Sequence, residues 1–190
     1  QLSHAATPMS GQAAETLPLP IGAWAATNDK PRAVVSGGAG FIGSHRWEAL
    51  LNHGMRVLAL DNFITGSREN LRALEANPDF EFRQADVNHG IFLGGDVRYV
   101  LHFASPASPP QYDANPIHTL KVGTLGTTNM LGLARAKEAT FLLASTSGVY
   151  GDPLAHPPPD SYRAPVPPIG PRGSHHEATR VPQAFPMRPH

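Results

Sequence analysis

The sequence predicts an α/β protein built on a doubly wound parallel sheet. Between residues 32 and 151, short apolar runs rich in β-branched residues alternate with segments of helical spacing. A glycine-rich turn joins the first run to the first helical segment, and proline-dense segments flank the alternating region. Parallel strands need crossover connections, and these are right-handed. The alternation therefore favours one parallel sheet with helices on both faces.

Five strands and three helices are predicted in order. RAVVSG at 32–37 ends in glycine, and FIGSHRWEALLNHG at 41–54 has helical spacing followed by a glycine stop. The other predicted strands are MRVLALD at 55–61, FEFRQAD at 80–86, VRYVLHFA at 97–104 and TFLLAST at 140–146. The other predicted helices are SRENLRALEA at 67–76 and a longer one across 116–136.

Proline and composition set the domain limits. Residues 1–31 mix Ala, Pro, Ser and Thr without periodicity, which predicts a loose N-terminal extension. Residues 152–190 are rich in proline, which fixes φ and removes a backbone donor, so an irregular tail without a long helix or a central strand is expected there. The packed part is one domain at 32–151, and the sheet is expected to stop after about the fifth strand.

Composition excludes several classes of function. The 15 basic and 15 acidic residues balance, so no basic face for nucleic acid or for a membrane surface is expected. The chain has no cysteine, which excludes disulfides, thiolate metal sites and cysteine nucleophiles. Its apolar runs are far shorter than the roughly 20 residues of a membrane span, and we expect an unsecreted chain, because the first residues show no basic region followed by an apolar stretch. We expect a cytoplasmic protein with a small-molecule ligand and no metal site.

The turn GGAGFIG predicts a dinucleotide site. It places Gly37, Gly40 and Gly43 between the first strand and the first helix. A side chain in this turn would keep the backbone from a pyrophosphate, whose charge is stabilised by helix N–H groups and the positive end of the helix dipole. The alternative is a glycine-rich turn without a ligand, since short glycine patterns recur by chance.

Two aspartates at strand ends add to this prediction. Asp61 ends the second strand, where a carboxylate can accept both hydroxyls of the adenosine ribose and would repel a 2′-phosphate. A Rossmann-type fold that prefers NAD to NADP is therefore expected. The alternative is a solvated aspartate that opens a turn before Asn62. Asp86 ends the third strand and can bond the adenine amino group, although a surface aspartate explains it nearly as well.

These motifs resemble a known family. The segments SGGAGFIGSH, LDNFITGSRENL, LHFASPASPPQY, NPIHTLKVGTLGTTNMLGLARA, FLLASTSGVYGDPLAHPPPDSY and PIGPRG resemble, in order, those of UDP-glucuronic acid decarboxylases, which are extended short-chain dehydrogenases/reductases. The resemblance runs from about Arg32 to Arg180. The pattern ASTS-VYGDPL-HP favours this subfamily over the related 4,6-dehydratases and epimerases.

The resemblance implies an NAD-dependent carboxy-lyase that binds a UDP-sugar. Bound NAD takes hydride from carbon 4 of UDP-glucuronate, the β-keto acid loses carbon dioxide, and the hydride returns to give UDP-xylose. A homodimer or an association with intact homologues is also implied. The residues implied along the cofactor are Gly37, Gly40, Phe41 and Ile42 at the pyrophosphate, Asp61, Asn62 and Thr65 at the adenosine, Asp86 and Val87 at the adenine, and Leu101, Phe103 and Ala104 after the fourth strand.

The catalytic positions depart from the family pattern. Thr146 and Ser147 are implied to meet the sugar hydroxyl, or alternatively to bond their own backbone. The Tyr-x-x-x-Lys pair of the family is replaced by His175 and Thr179. Gly148 stands in place of a glutamate and Gly123 in place of an asparagine. On the first helix, Arg46 and Trp47 replace smaller or apolar residues, which predicts looser packing.

The missing acid–base pair leaves three functional hypotheses open. Loss of one positioned acid or base costs about 10²- to 10⁴-fold in rate, so efficient turnover by the family route is not expected. His175 is the candidate replacement for the tyrosine, with His176 beside it. A metal site at this pair is disfavoured because adjacent side chains diverge and no spaced third ligand follows. The hypotheses are an active decarboxylase, an NAD-binding remnant without turnover, and an interaction subunit of intact homologues.

Overall fold

A computed structural model describes residues 29–74, 76–151, 157–159, 162 and 173–184. Most of the predicted N-terminal extension at 1–31 therefore lies outside the described residues. Much of the predicted tail at 152–190 lies outside them as well. The region predicted to pack, 32–151, is described except for residue 75.

Within the described residues the sheet has five strands, and all four pairings between neighbours are parallel. The strands are β1 (Arg32–Ser36), β2 (Arg56–Asp61), β3 (Phe80–Gln84), β4 (Tyr99–His102) and β5 (Thr140–Leu143). Their order is β3-β2-β1-β4-β5, so the chain builds outward from β1 and then returns to the other side of it. The predicted doubly wound parallel sheet is confirmed, with its switch point between β1 and β4.

Strand composition follows position in the sheet. All five residues of β1 are buried, as are five of the six in β2, because helices cover both faces of the central strands. The outer strand β5 alternates exposed and half-buried residues. The central apolar runs therefore predicted their strands well, and the structure shortens each of the five strands by one to four residues.

Helices connect the strands, and two of the three predicted helices differ from the sequence expectations. The helices are α1 (Phe41–Asn52), α2 (Pro109–Ala114), α3 (Pro116–Lys121), α4 (Thr127–Ala136) and α5 (Gly173–Arg180). The predicted helix at 67–76 forms a 3-10 helix over Arg68–Leu74. The predicted helix at 116–136 is α3 and α4 joined by a π-helical turn, Val122–Gly126. No described helix has the length and apolar character needed to cross a membrane.

Helix α5 lies within the tail that was predicted to be irregular. Its eight residues contain no proline, and Pro171 and Pro182 stand on either side of them. Proline can precede a helix or follow it at little cost, whereas inside one it removes a hydrogen bond. A short helix followed by a 3-10 turn, Val181–Ala184, therefore fits between the prolines.

The core has two parts, one on each face of the sheet. One cluster joins Val34, Leu58 and Val100 to Met130 and Leu133 of α4. The other joins alternate residues of the same central strands to α1 and to the 3-10 helix, and its members include Val35, Val57, Ala59, Trp47 and Leu71. Successive strand residues point to opposite faces, so β1 and β2 contribute to both clusters.

Trp47 overturns the prediction of looser packing on α1. Its side chain is buried, and its ring packs against Phe80 with centroids 5.3 Å apart. The indole Nε1–H donates to the carbonyl of Gly38 at 2.8 Å. The larger residue therefore ties α1 to the glycine turn instead of loosening it.

Candidate functional site

A cleft of about 510 Å³ opens at the carboxyl ends of β1, β2 and β4. This is the switch point, where open α/β sheets bind their ligands. The walls are the glycine turn, the first turn of α1, the loop after β2, residues after β3, and the segment from the end of β4 into α3. The described lining residues are Gly37, Gly40, Phe41, Ile42, Gly43, Leu60, Asp61, Asn62, Ile64, Thr65, Ala85, Val87, Phe103, Ala104, Ser105, Pro106, Ala107, Ser108, Gln111, His118 and Val122.

The three glycines of the turn have different physical roles. Gly37 has φ +72°, and a Cβ there would lie 2.7 Å from the backbone nitrogen of Ala104. A Cβ at Gly43 would lie 2.1 Å from the carbonyl oxygen of Gly37. A Cβ at Gly40 would meet, among described atoms, only that same oxygen at 3.2 Å. Gly37 and Gly43 therefore allow close backbone approach, while Gly40 leaves bare backbone facing the cleft.

The N-terminus of α1 supplies the electrostatic part of the site. Gly40 is the N-cap residue and has no side-chain cap. The N–H groups of the first helical turn have no acceptor within the helix, and the dipole gives this end a partial positive charge. Phe41 and Ile42 begin the helix at the cleft, and these residues are 80% and 54% exposed. The residues present fit a phosphate group placed against this turn.

Asp61 is buried at the cleft rather than solvated. Asp61 is 8% exposed. Its Oδ2 accepts from the N–H of Ala39 at 3.0 Å, and its Oδ1 accepts from the N–H of Phe63 at 2.8 Å. Gly66 lets the following loop approach, since a Cβ there would lie 2.8 Å from Oδ1. Each carboxylate oxygen has capacity for more than one bond. The carboxylate therefore joins the glycine turn to β2 and keeps acceptor capacity for a ligand hydroxyl.

Two predicted cofactor residues lie apart from the lining of the cleft. Asp86 accepts from the N–H of Asn88 at 2.9 Å, and its Oδ2 lies 4.0 Å from Nδ1 of His118. Leu101 lies inside β4 and packs against the α1 side of the core. The structure brings together the other predicted cofactor residues, which are Gly37, Gly40, Phe41, Ile42, Gly43, Asp61, Asn62, Thr65, Val87, Phe103 and Ala104.

Sequence reasoning missed the polar wall opposite the glycine turn. Ser105, Ser108, Gln111 and His118 line the cleft from the segment after β4. The signal that could have found them is position, because the carboxyl ends of β1 and β4 meet at one edge of the sheet. Helix α2, which carries Gln111, was not predicted.

The Thr146 hydroxyl bonds to neighbouring backbone, as the alternative hypothesis for this residue predicted. It precedes the 3-10 helix Ser147–Tyr150, and its Oγ1 accepts from the N–H of Gly148 at 3.3 Å. Ser147 is exposed. Neither residue is part of the described cleft lining.

Helix α5 carries the residues that replace the family pair. The ring of His175 stacks on buried Tyr112, with centroids 4.8 Å apart and planes 9° from parallel. Thr179 Oγ1 donates to the carbonyls of His175 and His176, at 3.0 Å in each case. The hydroxyl of Thr179 is therefore engaged by its own helix, and the described cleft lining includes no residue of α5.

A buried histidine lies beside the switch point. His102 is 3% exposed; its Nδ1 lies 2.6 Å from Ser36 Oγ and its Nε2 lies 3.2 Å from Thr127 Oγ1. Burial lowers the pKa of His102 to about 4. The imidazole is therefore neutral at neutral pH and links β1, β4 and α4. Among the described residues, no three His, Asp or Glu side chains cluster as metal ligands.

Comparison with protein families and curated proteins shows which proteins this sequence is similar to. The NAD dependent epimerase/dehydratase family matches residues 33–180. UDP-glucuronic acid decarboxylase 1 of Arabidopsis thaliana is 48% identical over 159 residues, covering 84% of this chain and 36% of the relative. UDP-glucuronic acid decarboxylase 3 of the same plant is 48% identical over 151 residues, covering 79% of this chain and 44% of the relative. The chain thus spans less than half the length of these relatives.

Solved structures show the same fold. The UDP-glucose 4-epimerase of Thermotoga maritima, solved with UDP-glucose, superposes with a TM-score of 0.68 at 28% identity. The alignment covers 81% of this chain and 49% of that protein. The UDP-glucose 4-epimerase of Thermus thermophilus, solved as a complex with NAD, gives a TM-score of 0.61 at 26% identity, with the same coverages.

Proposed function

We propose, on the premise that this chain belongs to the NAD dependent epimerase/dehydratase family, that it binds NAD in the cleft at the switch point. The observation that carries the proposal is the pairing of an open glycine turn with a buried carboxylate. Gly40 leaves backbone accessible beside the N-terminus of α1, and Asp61 closes the next strand of the sheet at the same cleft.

Each part of the cofactor has residues that suit it. The pyrophosphate would lie against Gly40 and accept from the N–H groups of Phe41 and Ile42, and Asp61 would hold the adenosine ribose. The carboxylate would repel a 2′-phosphate, which favours NAD over NADP. The adenosine would contact Asn62 and Thr65 on one side and Val87 on the other. When bound, NAD supplies a hydride acceptor and donor.

The lineage suggests a substrate, UDP-glucuronate. The curated relatives described above are named UDP-glucuronic acid decarboxylases, and this chain spans 36% of the first of them. The corresponding reaction converts UDP-glucuronate to UDP-xylose and carbon dioxide. In this chain, Thr146, Ser147 and His175 would be the catalytic residues, with the hydroxyls meeting the sugar and His175 moving its proton.

A second candidate is NAD binding without efficient turnover, and the geometry of α5 favours it. One face of the His175 ring is covered by Tyr112, and the Thr179 hydroxyl bonds its own helix. Thr179 therefore cannot act as a lysine that would lower the pKa of a neighbouring acid and hold a ribose. The loss of such a group costs about 10²- to 10⁴-fold in rate. We therefore expect no more than trace amounts of UDP-xylose.

Calorimetry with NAD tests the proposal. We expect saturable binding that Asp61→Asn weakens by about 10-fold or more, because a bond to a charged acceptor contributes roughly 1.5–3 kcal/mol. Asp113→Asn is the matched control: this exposed carboxylate lies on α2 outside the described cleft lining, and its change should leave affinity unaltered. Binding of NADP as tight as that of NAD, or no binding of either, would contradict the proposal. The same protein, incubated with NAD and UDP-glucuronate, reports turnover through UDP-xylose.

We also propose domain limits, an assembly and a compartment. The cofactor domain is residues 32–151, with flanking segments at 1–31 and 152–190. Ile117, Leu120 and Leu125 are 72%, 41% and 51% exposed on the segment from α3 to the π-helical turn, and this apolar surface would suit a homodimer or an association with intact homologues. The compartment would be the cytoplasm, in keeping with a chain that has no cysteine.

A further inference from the structure

We propose that this chain recognises only the ADP-ribosyl half of NAD, so that ADP-ribose binds as tightly as the whole dinucleotide. The inference rests on the proposed function, because it concerns the same cleft. It goes beyond that function by assigning the ligand class to an adenine nucleotide diphosphate and by leaving the nicotinamide outside the cleft that the described residues form.

The cleft stops short of the outermost strand on the β4 side. In a doubly wound sheet the two mononucleotide units lie on opposite sides of the switch point, one over each half of the sheet. The cleft is lined from the ends of β1, β2 and β3 and from the segment that follows β4. Its described lining contains no residue of β5 or of the segment at 144–151.

Over the other half, α5 and the turn after it cover the strand ends. Between them and the sheet lies a cavity of about 30 Å³, lined at the strand ends by Phe103, Ala104, Leu143 and Ala144 and covered by Ala178, Thr179 and Pro182. A benzene-sized ring occupies a cavity of roughly 150 Å³ in a protein core, about five times the volume of this one. A nicotinamide ring is larger than benzene by its carboxamide, so it does not fit.

The closure depends on a glycine in the π-helical turn. A Cβ at Gly123 would lie 2.1 Å from the carbonyl oxygen of Ala178 and 2.5 Å from its Cβ. No side chain at position 123 is therefore compatible with α5 in this place. Ala178 is 1% exposed, which shows that the contact excludes solvent.

A second glycine, in the 3-10 helix that follows β5, lies against the same helix. A Cβ at Gly148 would lie 3.1 Å from the imidazole of His176. Neither Gly123 nor Gly148 has a side chain facing α5, so the two glycines belong to one packing arrangement over this half of the sheet.

Calorimetry with NAD, ADP-ribose and nicotinamide mononucleotide tests the inference. We expect dissociation constants for NAD and ADP-ribose that agree within threefold, and no binding of nicotinamide mononucleotide at the same concentrations. NAD binding more than threefold tighter than ADP-ribose would overturn the inference while leaving the proposed function intact. If neither NAD nor ADP-ribose binds, the proposed function itself fails.

Saturation-transfer NMR on the NAD complex gives a second readout that requires no variant. Adenine and adenosine ribose protons in contact with the cleft should receive strong saturation, and the nicotinamide ring protons should receive less than a third of it. Equal saturation of both rings would show that the nicotinamide is enclosed by protein. That result would contradict the inference that α5 fills the nicotinamide side of the site.

Discussion

The two halves of the sheet use glycine for opposite purposes. Over β1, β2 and β3, Gly40 keeps backbone bare so that a ligand can reach it, and Asp61 is fixed beside it. Over β4 and β5, Gly123 and Gly148 remove side chains so that a helix can fill the space. A glycine in a sequence motif therefore does not reveal whether it makes room for a ligand or for the protein itself. The packing around it decides.

The largest effect we expect is that of acidification, which should protonate His102 and weaken its link between β1 and α4. The pKa of this buried imidazole is about 4, below the ordinary value of 6.5, because burial disfavours the charged form. The unfolded state therefore binds more protons than the folded state once the pH falls below about 6.5. Above that pH the neutral imidazole contributes its full stabilisation of the folded state. This contribution falls by roughly 1.4 kcal/mol per pH unit down to about pH 4, a total of about 3 kcal/mol.

Urea unfolding at pH 7 and pH 4.5 measures this loss, with His102→Gln as the comparison. The amide can bond to Ser36 and Thr127 but does not titrate. Carboxylates titrate in both proteins, so the difference between them isolates the imidazole. If the wild-type protein and the variant lose the same stability over this range, His102 does not couple the halves as described.

The closed half should be sharply sensitive to a single methyl group at position 123. Gly123→Ala places Cβ against the backbone of α5, and overpacking of this kind costs about 1–3 kcal/mol. The matched variant is Gly132→Ala in α4, where a Cβ would meet no described atom within 4 Å. That change should add about 0.5–1 kcal/mol of stability, because alanine is the better helix former.

Urea unfolding of both glycine variants gives the measurement, and the His175 ring resonances give a local readout. Stacking on Tyr112 shifts those resonances, so displacement of α5 by Gly123→Ala should move them while Gly132→Ala leaves them in place. Equal stability of the two variants would refute the close contact between Gly123 and Ala178.

The two halves also differ in how far the sequence predicted them. Asp61 and Gly43 could be placed from local pattern, because a strand end, a turn and a helix start are set by neighbours in the chain. The contact of Gly123 with Ala178 joins residues far apart in sequence, and no periodicity encodes it. Helix α5 was missed because GSHHEATR has no apolar stripe, and its position depends on packing.

Leu101 shows a smaller failure of the same reasoning. Its place near the end of the fourth strand suggested a cofactor contact, but β4 continues to His102 and strand residues alternate between faces. The side chain of Leu101 therefore packs with the α1 side of the core, while Phe103 and Ala104, beyond the strand, reach the cleft. Residue order alone does not give the face.

The half of the sheet over β1, β2 and β3 should hold the shape of the glycine turn before a ligand binds. Trp47 provides the test with the smallest expected effect. Trp47→Phe keeps an aromatic ring against Phe80 but removes the donor to the Gly38 carbonyl, which should cost about 1 kcal/mol of stability. Because Gly38 belongs to the turn, NAD affinity should also fall a few fold. Phe80→Leu is the contrast, since it weakens the same aromatic contact without touching the turn, and it should lower stability while leaving NAD affinity unchanged. Affinity that follows stability equally in both variants would mean that general loosening, rather than the bond to Gly38, sets the shape of the turn.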